Sequence, residues 1–264
     1  MKRTTVGNVE IVALVDNITP YPAGAVYPSA GDALKAYGHY LDSEGRVALN
    51  FGCFILREGG RTVLVDTGWG PENKGKLLTE LSHAGVSAES VDAVVFTHLH
   101  GDHTGWNIDR ASGKPIFSRA RYLVPRADWD HYGAQDPQPA SFTRDIAPLE
   151  GIGCLDLIEG MHVISPALTA MPTPGHTPGH TSVAVSSNDE FGFILGDVVI
   201  SPIDTEEPGF QNGFDWHHGV ARTTRLAVLD HLIERGATVG ASHLPAPGLG
   251  RFVRDGGRRK WQAL

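Results

Sequence analysis

Four residues able to bind a metal ion fall within one run of six: His98, His100, Asp102 and His103. Two imidazoles two positions apart lie on the same side of an extended chain, so His98 and His100 can face one ion. Gly101 lets the backbone turn, and Asp102 and His103 beyond it can reach a second position nearby. Loop polarity alone rarely gathers three histidines and an aspartate this closely.

The donors that complete such a cluster should stand at other strand ends. The Gly/Pro-rich run 173–180 presents His176 just before a strand and His180 at its start. Asp197 closes the apolar run 191–195, and His243 follows the short apolar run 238–241. A charged or polar group at the end of a core strand is costly unless something pairs with it, and a metal supplies the partner. Mixed histidine and carboxylate donors accept zinc, manganese, iron or cobalt, with zinc the default. His39, His83, His131, His162 and His231 have no partner at ligand spacing and read as surface or packing residues.

The elements that must hold these residues are legible as short apolar runs. Residues 9–16, 50–57, 62–66, 91–96, 121–124, 155–158, 168–171, 181–186, 191–195 and 238–241 read as strands. The strand 91–96 delivers the first four donors at its C-terminal end, a rigid support for a site. Residues 50–57 and 62–66 form a hairpin around Glu58-Gly59-Gly60, and Asp66-Thr67-Gly68 ends its second strand with a carboxylate. Helical periodicity marks residues 74–84, stopped by Gly85, and most clearly residues 219–236; residues 125–132 read as a short helix opened by proline. Two strand-rich halves with helices between and after them predict an α/β fold, a four-layer αββα sandwich. With no linker, repeat or low-complexity stretch in view, residues 1–264 read as a single domain.

Residues 17–46 show no clear period and carry three prolines with Tyr21, Tyr27, Tyr37 and Tyr40. Tyr21 and Tyr27 are candidates for a cleft wall, and the alternative is that they anchor the loop to the body. After Asp197, a loop with Phe210, Phe214 and Trp216, followed by His217 and His218, is a candidate rim for the same cleft.

Composition bounds the partners. A formal charge of −8 argues against nucleic acid, which wants a basic surface. Arg251, Arg254, Arg258, Arg259 and Lys260 read as a solvated terminal face. No apolar stretch approaches the ~20 residues that span a bilayer, and no signal-peptide pattern opens the chain, so a cytoplasmic protein without a membrane partner is the expectation. Cys53 and Cys154 read as free thiols, with one bridge left open. A small-molecule substrate is the expected partner; the long loop leaves a homodimer open.

The set His-x-His-x-Asp-His, then Pro-Gly-His, Gly-Asp and a late His, resembles the metallo-β-lactamase superfamily over nearly the whole chain. The resemblance implies two divalent ions: His98, His100 and His176 on one, Asp102, His103 and His243 on the other, with Asp197 between them. It further implies a metal-bridging hydroxide as nucleophile, Asp102 as the residue that orients it or moves a proton, and Asp66 and His180 as supports that fix ligand orientation. Residues 240–250 and 173–182 look like the branch that includes methyl parathion hydrolases and lactonases. In many acyl-homoserine lactonases a tyrosine stands three residues after the bridging aspartate; here that position is Ile200, itself a candidate substrate contact. The implied activity is hydrolysis of lactones or small esters, with phosphotriesterase activity at its side. The alternatives are a glyoxalase II-type thioester hydrolase and, from another class, a metal-binding oxidoreductase module.

Overall fold

The computed structural model describes residues 1–264. The first half of the chain forms one seven-stranded sheet. Its strands are β1 (Lys2–Val6), β2 (Val9–Pro22), β3 (Arg46–Glu58), β4 (Arg61–Val65), β5 (Ala93–Val95), β6 (Arg121–Pro125) and β7 (Leu155–Ile158), in that spatial order. β1 to β4 pair antiparallel, and β4 to β7 run parallel. A second seven-stranded sheet holds β8 (His162–Ser165), β9 (Leu168–Pro172), β10 (Thr181–Ser187), β11 (Glu190–Ile194), β12 (Thr238–Gly240), β13 (Leu249–Asp255) and β14 (Arg258–Ala263). All its pairs are antiparallel except β11 with β12. The helices are α1 (Ala23–Val26), α2 (Leu77–His83), α3 (Arg126–Gly133), α4 (Ala147–Ile152), α5 (Pro202–Glu206) and α6 (His218–Arg235).

Strand alternation builds the layers. On β3, Phe54 and Leu56 face inward and pack with Leu168, Val183 and Ile194 of the second sheet. Cys53 and Ile55 face the other way, against Leu77, Leu81 and Leu149 under the helices of the first half. The outer face of the second sheet, with Phe193 and Val239, buries Leu229 and Leu232 of α6. The order is therefore helix, sheet, sheet, helix, the expected αββα sandwich.

Three segments differ from the sequence reading. β2 does not stop at Asp16 but continues to Pro22, through a register shift between Val15 and Asn17. β1 ends opposite Ala13, so the later part of β2 has a free edge where Pro20 and Pro22 need donate nothing. The remainder of residues 17–46 is ordered as α1 and tight turns over Gly31–Tyr40. At the C-terminus, the basic run is a solvated face as expected, but it is built as a paired hairpin, β13 and β14, that the sequence reading did not foresee. Arg254 and Arg259 reach Asp230 of α6 at 2.6 and 2.9 Å, and Lys260 reaches Asp255 at 2.7 Å. Both cysteines are free thiols; Cys53 is buried, and burial pushes its thiol pKa up. No helix is long and apolar enough to cross a membrane.

Candidate metal centre

The strand ends meet along one edge of the sandwich. β4 runs into Asp66, β5 into Thr97 and His98, β11 into Asp197 and β12 into His243, while His176 stands on the turn between β9 and β10. Asp66 adopts a positive φ of 61°, an uncommon state for a residue with a side chain. From there its carboxylate takes the Thr97 N–H and hydroxyl, both at 2.8 Å, and faces His103 Nδ1 at 2.9 Å. One strand-end carboxylate thus fixes the start of the donor loop and its last histidine.

The donors converge as two groups. His98, His100 and His176 form one; Asp102, His103, Asp197 and His243 form the other. In the first, His100 Nδ1 lies 3.1 Å from His98 Nε2 and 3.0 Å from His176 Nε2. In the second, His103 Nε2 and His243 Nε2 each stand 3.4 Å from Asp102 Oδ2. The Asp197 carboxylate lies between: it is 3.3 Å from His176 Nε2 on one side, and 3.4 and 3.0 Å from His103 and His243 on the other.

The far nitrogens of His98, His103, His176 and His243 are tied down, which decides which nitrogen is left free. His243 Nδ1 must donate to the Asn50 carbonyl at 2.8 Å, because a carbonyl only accepts. His98 Nδ1 donates to Thr97 Oγ1 at 3.0 Å, since that hydroxyl has already given its proton to Asp66. His176 Nδ1 faces Asp215 Oδ1 at 3.1 Å. His180 is different: its Nδ1 donates to the Thr173 carbonyl at 3.0 Å and its Nε2 accepts the Asp197 N–H at 2.9 Å. It therefore holds the backbone of Asp197 and contributes no donor to either group. Gly196, with φ 60°, is what lets it come so close; a Cβ there would stand 2.7 Å from His180 Nε2.

Charge separates the two groups. Burial, joined by the neighbouring His103, holds His98 well below the usual imidazole range. Burial, joined by His176, holds His100 down at about 3. In the other group burial is outweighed: Asp197 and Asp102 push His103 well above its usual value, and Asp197 and Asp102 raise His243 to about 10. The same pairings hold Asp102 below the ordinary carboxylate range against the effect of burial.

These residues fit a pair of cations. His103 Nε2 and Asp197 Oδ1 are buried and lack any hydrogen-bond partner, both within the second group. Buried polar atoms are left unpaired rarely and at a cost of about 1–3 kcal/mol. Five imidazole rings and two carboxylates, all aimed inward, form a donor set that hard and borderline divalent ions accept.

The groups open onto a cleft of about 330 Å³. Its walls include Tyr21, Leu49, Phe51, Trp69, Ile200 and Phe214, and His100, Asp102, His176, Asp197 and His243 line its floor. Phe51 and Trp69 stack at 4.4 Å, and Phe214 meets Tyr21 edge-on at 6.4 Å. Of the residues expected at the wall, Tyr21, Ile200 and Phe214 are there. Tyr27 is not: it is fully buried, hydrogen-bonded to Ser201 Oγ at 2.7 Å, and packed on Phe210, which also stays out of the cleft. Trp216 is half exposed and leans towards His131 outside it. Sequence reading missed Phe51 and Trp69. Their signals were the period-2 alternation of β3 and the position just after Asp66-Thr67-Gly68.

It also missed three buried carboxylates that hold the loops. Asp16, placed out of the β2 ladder by the register shift, takes the N–H groups of Trp69 and Leu77 and the indole of Trp106 at 2.7–2.8 Å. Asp128 takes the N–H of Leu99 and of Gly179 and the Thr177 hydroxyl, joining the loops that carry His98 and His176. Burial pushes both carboxyl pKa values up. Asp215 is the third.

Residues 53–243 match the family model described as the Metallo-beta-lactamase superfamily. The chain belongs to the metallo-beta-lactamase superfamily. Over 181 residues it is 32% identical to Metallo-beta-lactamase domain-containing protein 1 of Xenopus laevis, covering 68% of this chain and 64% of that protein. Over 166 residues it is 25% identical to an N-acyl homoserine lactonase of Bacillus cereus, 54% of this chain and 60% of that one. The matched part thus spans under two thirds of each of these relatives. Among solved structures, the hydrolase AbOPH of the beta lactamase superfamily aligns with TM-score 0.87 at 25% identity, over 99% of this chain and 96% of that one. The dizinc quorum-quenching lactonase AidC, in complex with an N-acyl homoserine product, aligns with TM-score 0.85 at 23% identity, over 100% and 97%.

Proposed function

We propose that this superfamily hydrolase is a dinuclear enzyme that opens lactones or cleaves small esters. The observation that carries the reading is the placement of two facing donor groups, with Asp197 between them, on the floor of an aromatic cleft. In this reading His98, His100 and His176 hold one ion, Asp102, His103 and His243 the other, and Asp197 touches both. Zinc is the choice that the dizinc neighbour supports. Two such ions, when bound, supply an activated water near neutral pH and polarise the oxygen of the scissile group.

The chain supplies the rest. Asp102, partly open to the cleft and ionised, is the base placed to orient the attacking water and to carry its proton to the leaving oxygen. Asp66, the Asn50 carbonyl and the Thr97 hydroxyl fix the ring nitrogens that must face inward. Tyr21 is the only cleft tyrosine, and burial followed by the Asp102 charge raises its pKa, so it stays a hydrogen-bond donor. It takes the part that Ile200 cannot play, donating to the substrate carbonyl. Phe51, Trp69 and Phe214 exclude water and receive an apolar substrate group. A volume of about 330 Å³ suits a small molecule, at the low end of the ~300–1,000 Å³ of ligand pockets. Neither lysine nor arginine lines the cleft, which weighs against a thioester carrying several carboxylates.

The test is a panel of lactones, aryl esters, organophosphates and glutathione thioesters assayed with metal-loaded protein. Lactone or ester turnover that exceeds the rest and vanishes on chelation supports the reading. Preferred thioester turnover, or turnover that survives full metal removal, overturns it.

A further inference from the structure

Asp215 lies in the loop between α5 and α6 with a side chain only 1% exposed. One carboxylate oxygen faces His176 Nδ1 at 3.1 Å and the other faces Arg225 Nη2 at 3.1 Å. Arg225 is itself 1% exposed and comes from α6. Its Nε donates to the Val198 carbonyl at 2.7 Å and its Nη1 to the Pro208 carbonyl at 3.4 Å, one residue after Asp197 and at the start of the Phe214 loop. Two backbone bonds run alongside: Trp216 N–H to the His176 carbonyl at 2.9 Å, and His217 N–H to the Gly175 carbonyl at 3.0 Å. A charged pair this deep is retained only where its hydrogen bonds are well satisfied, since removing one partner leaves a buried charge.

We infer that Asp215, backed by Arg225, is a positioning residue that couples the three-histidine donor group to the cleft wall. By accepting the Nδ1 proton of His176 it leaves Nε2 as the free nitrogen, and by the same contact it anchors the loop that presents Phe214 to the substrate. Metal geometry and wall position therefore change together in this chain. The inference rests on the reading of His98, His100 and His176 as a metal site.

The test compares Asp215→Asn with Phe214→Ala, each loaded with cobalt in place of the native ion. An asparagine keeps the size but must turn its amide N–H groups towards either the His176 N–H or the Arg225 guanidinium, both donors. Asp215→Asn is expected to alter the visible cobalt spectrum, weaken the ion's affinity about 10- to 100-fold against a chelator, and raise KM for acyl-chain substrates. Phe214→Ala is expected to raise KM while the cobalt spectrum and affinity stay as in the parent. Should Asp215→Asn fold poorly, the parent protein still decides: nitrogen NMR of the metal-loaded chain must show His176 protonated at Nδ1. An unchanged spectrum and affinity in Asp215→Asn, or a His176 ring protonated at Nε2, overturns the inference. A parent chain that binds no metal through these histidines sinks the underlying reading instead.

Discussion

The two donor groups share imidazole chemistry and a wall, yet they meet a cation in opposite ways. His98 and His100 are kept neutral by burial, so these two rings are ready for a metal without losing a proton. His103 and His243 sit among Asp66, Asp102 and Asp197, and those carboxylates hold protons on them when no stronger cation is near. The unpaired buried atoms, His103 Nε2 and Asp197 Oδ1, also fall in this acidic half. The lesson is that, among these four rings, the state of the imidazole follows the carboxylates that face it.

The largest way to break the comparison is to remove what joins the halves. Asp197→Ala should cost about 10³-fold in kcat/KM, the equivalent of several kcal/mol of charge stabilisation, and leave fewer than two ions per chain by elemental analysis. Equal metal content and turnover in the variant would mean that Asp197 joins nothing. Next in size, Asp66→Asn should loosen His103 directly and His98 only through Thr97, and so weaken the acidic half more than the other, by about 10- to 100-fold in metal affinity. Loss of both ions together would show that the halves are one unit.

The pH dependence sharpens the same contrast. Raised pKa values at His103 and His243, the latter to about 10, mean that these rings stay protonated at neutral pH without metal. Metal must displace those protons, so affinity at the acidic half rises with pH and falls as the solution is acidified. The lowered His98 and His100 carry no such proton, so these two rings have none to give up to a metal near neutral pH. Calorimetry in buffers of different ionisation enthalpy reads this directly: more proton release is expected with one equivalent of metal than with the other. Equal release for both would erase the distinction. The smallest effect concerns the wall: Trp69→Ala, which removes the ring stacked on Phe51, should raise KM for apolar substrates several-fold, about 1 kcal/mol of lost contact, with kcat nearly unchanged.

How much of this was legible in the sequence follows from the range of the interactions. The run 97–105 announced itself because its donors are close in sequence, Asp197 and His243 because each follows a short apolar strand, and His176 because it stands in a Gly/Pro-fixed turn just before one. The layered fold followed from strands with clear alternation, such as β3. Asp16, Asp128 and Asp215 escaped because each works by accepting N–H groups or a ring proton from residues 10 to 90 positions away. Spacing carries no trace of such contacts. β1 and the β13–β14 hairpin escaped because their charged, half-exposed residues hide the period, and β8 because it is only four residues long. Tyr27 and Phe210 were misplaced because aromatic residues in a loop rich in proline suit a rim and an interior anchor equally well; burial decided for the anchor.

The central claim is that the chain holds two ions, one in each donor group, and works only with both. Titrating zinc into metal-free protein while following lactone hydrolysis tests it most directly. The account predicts two equivalents bound per chain, with turnover appearing only as the second one fills. Saturation at one equivalent with full turnover, or full turnover before any metal is added, would contradict it.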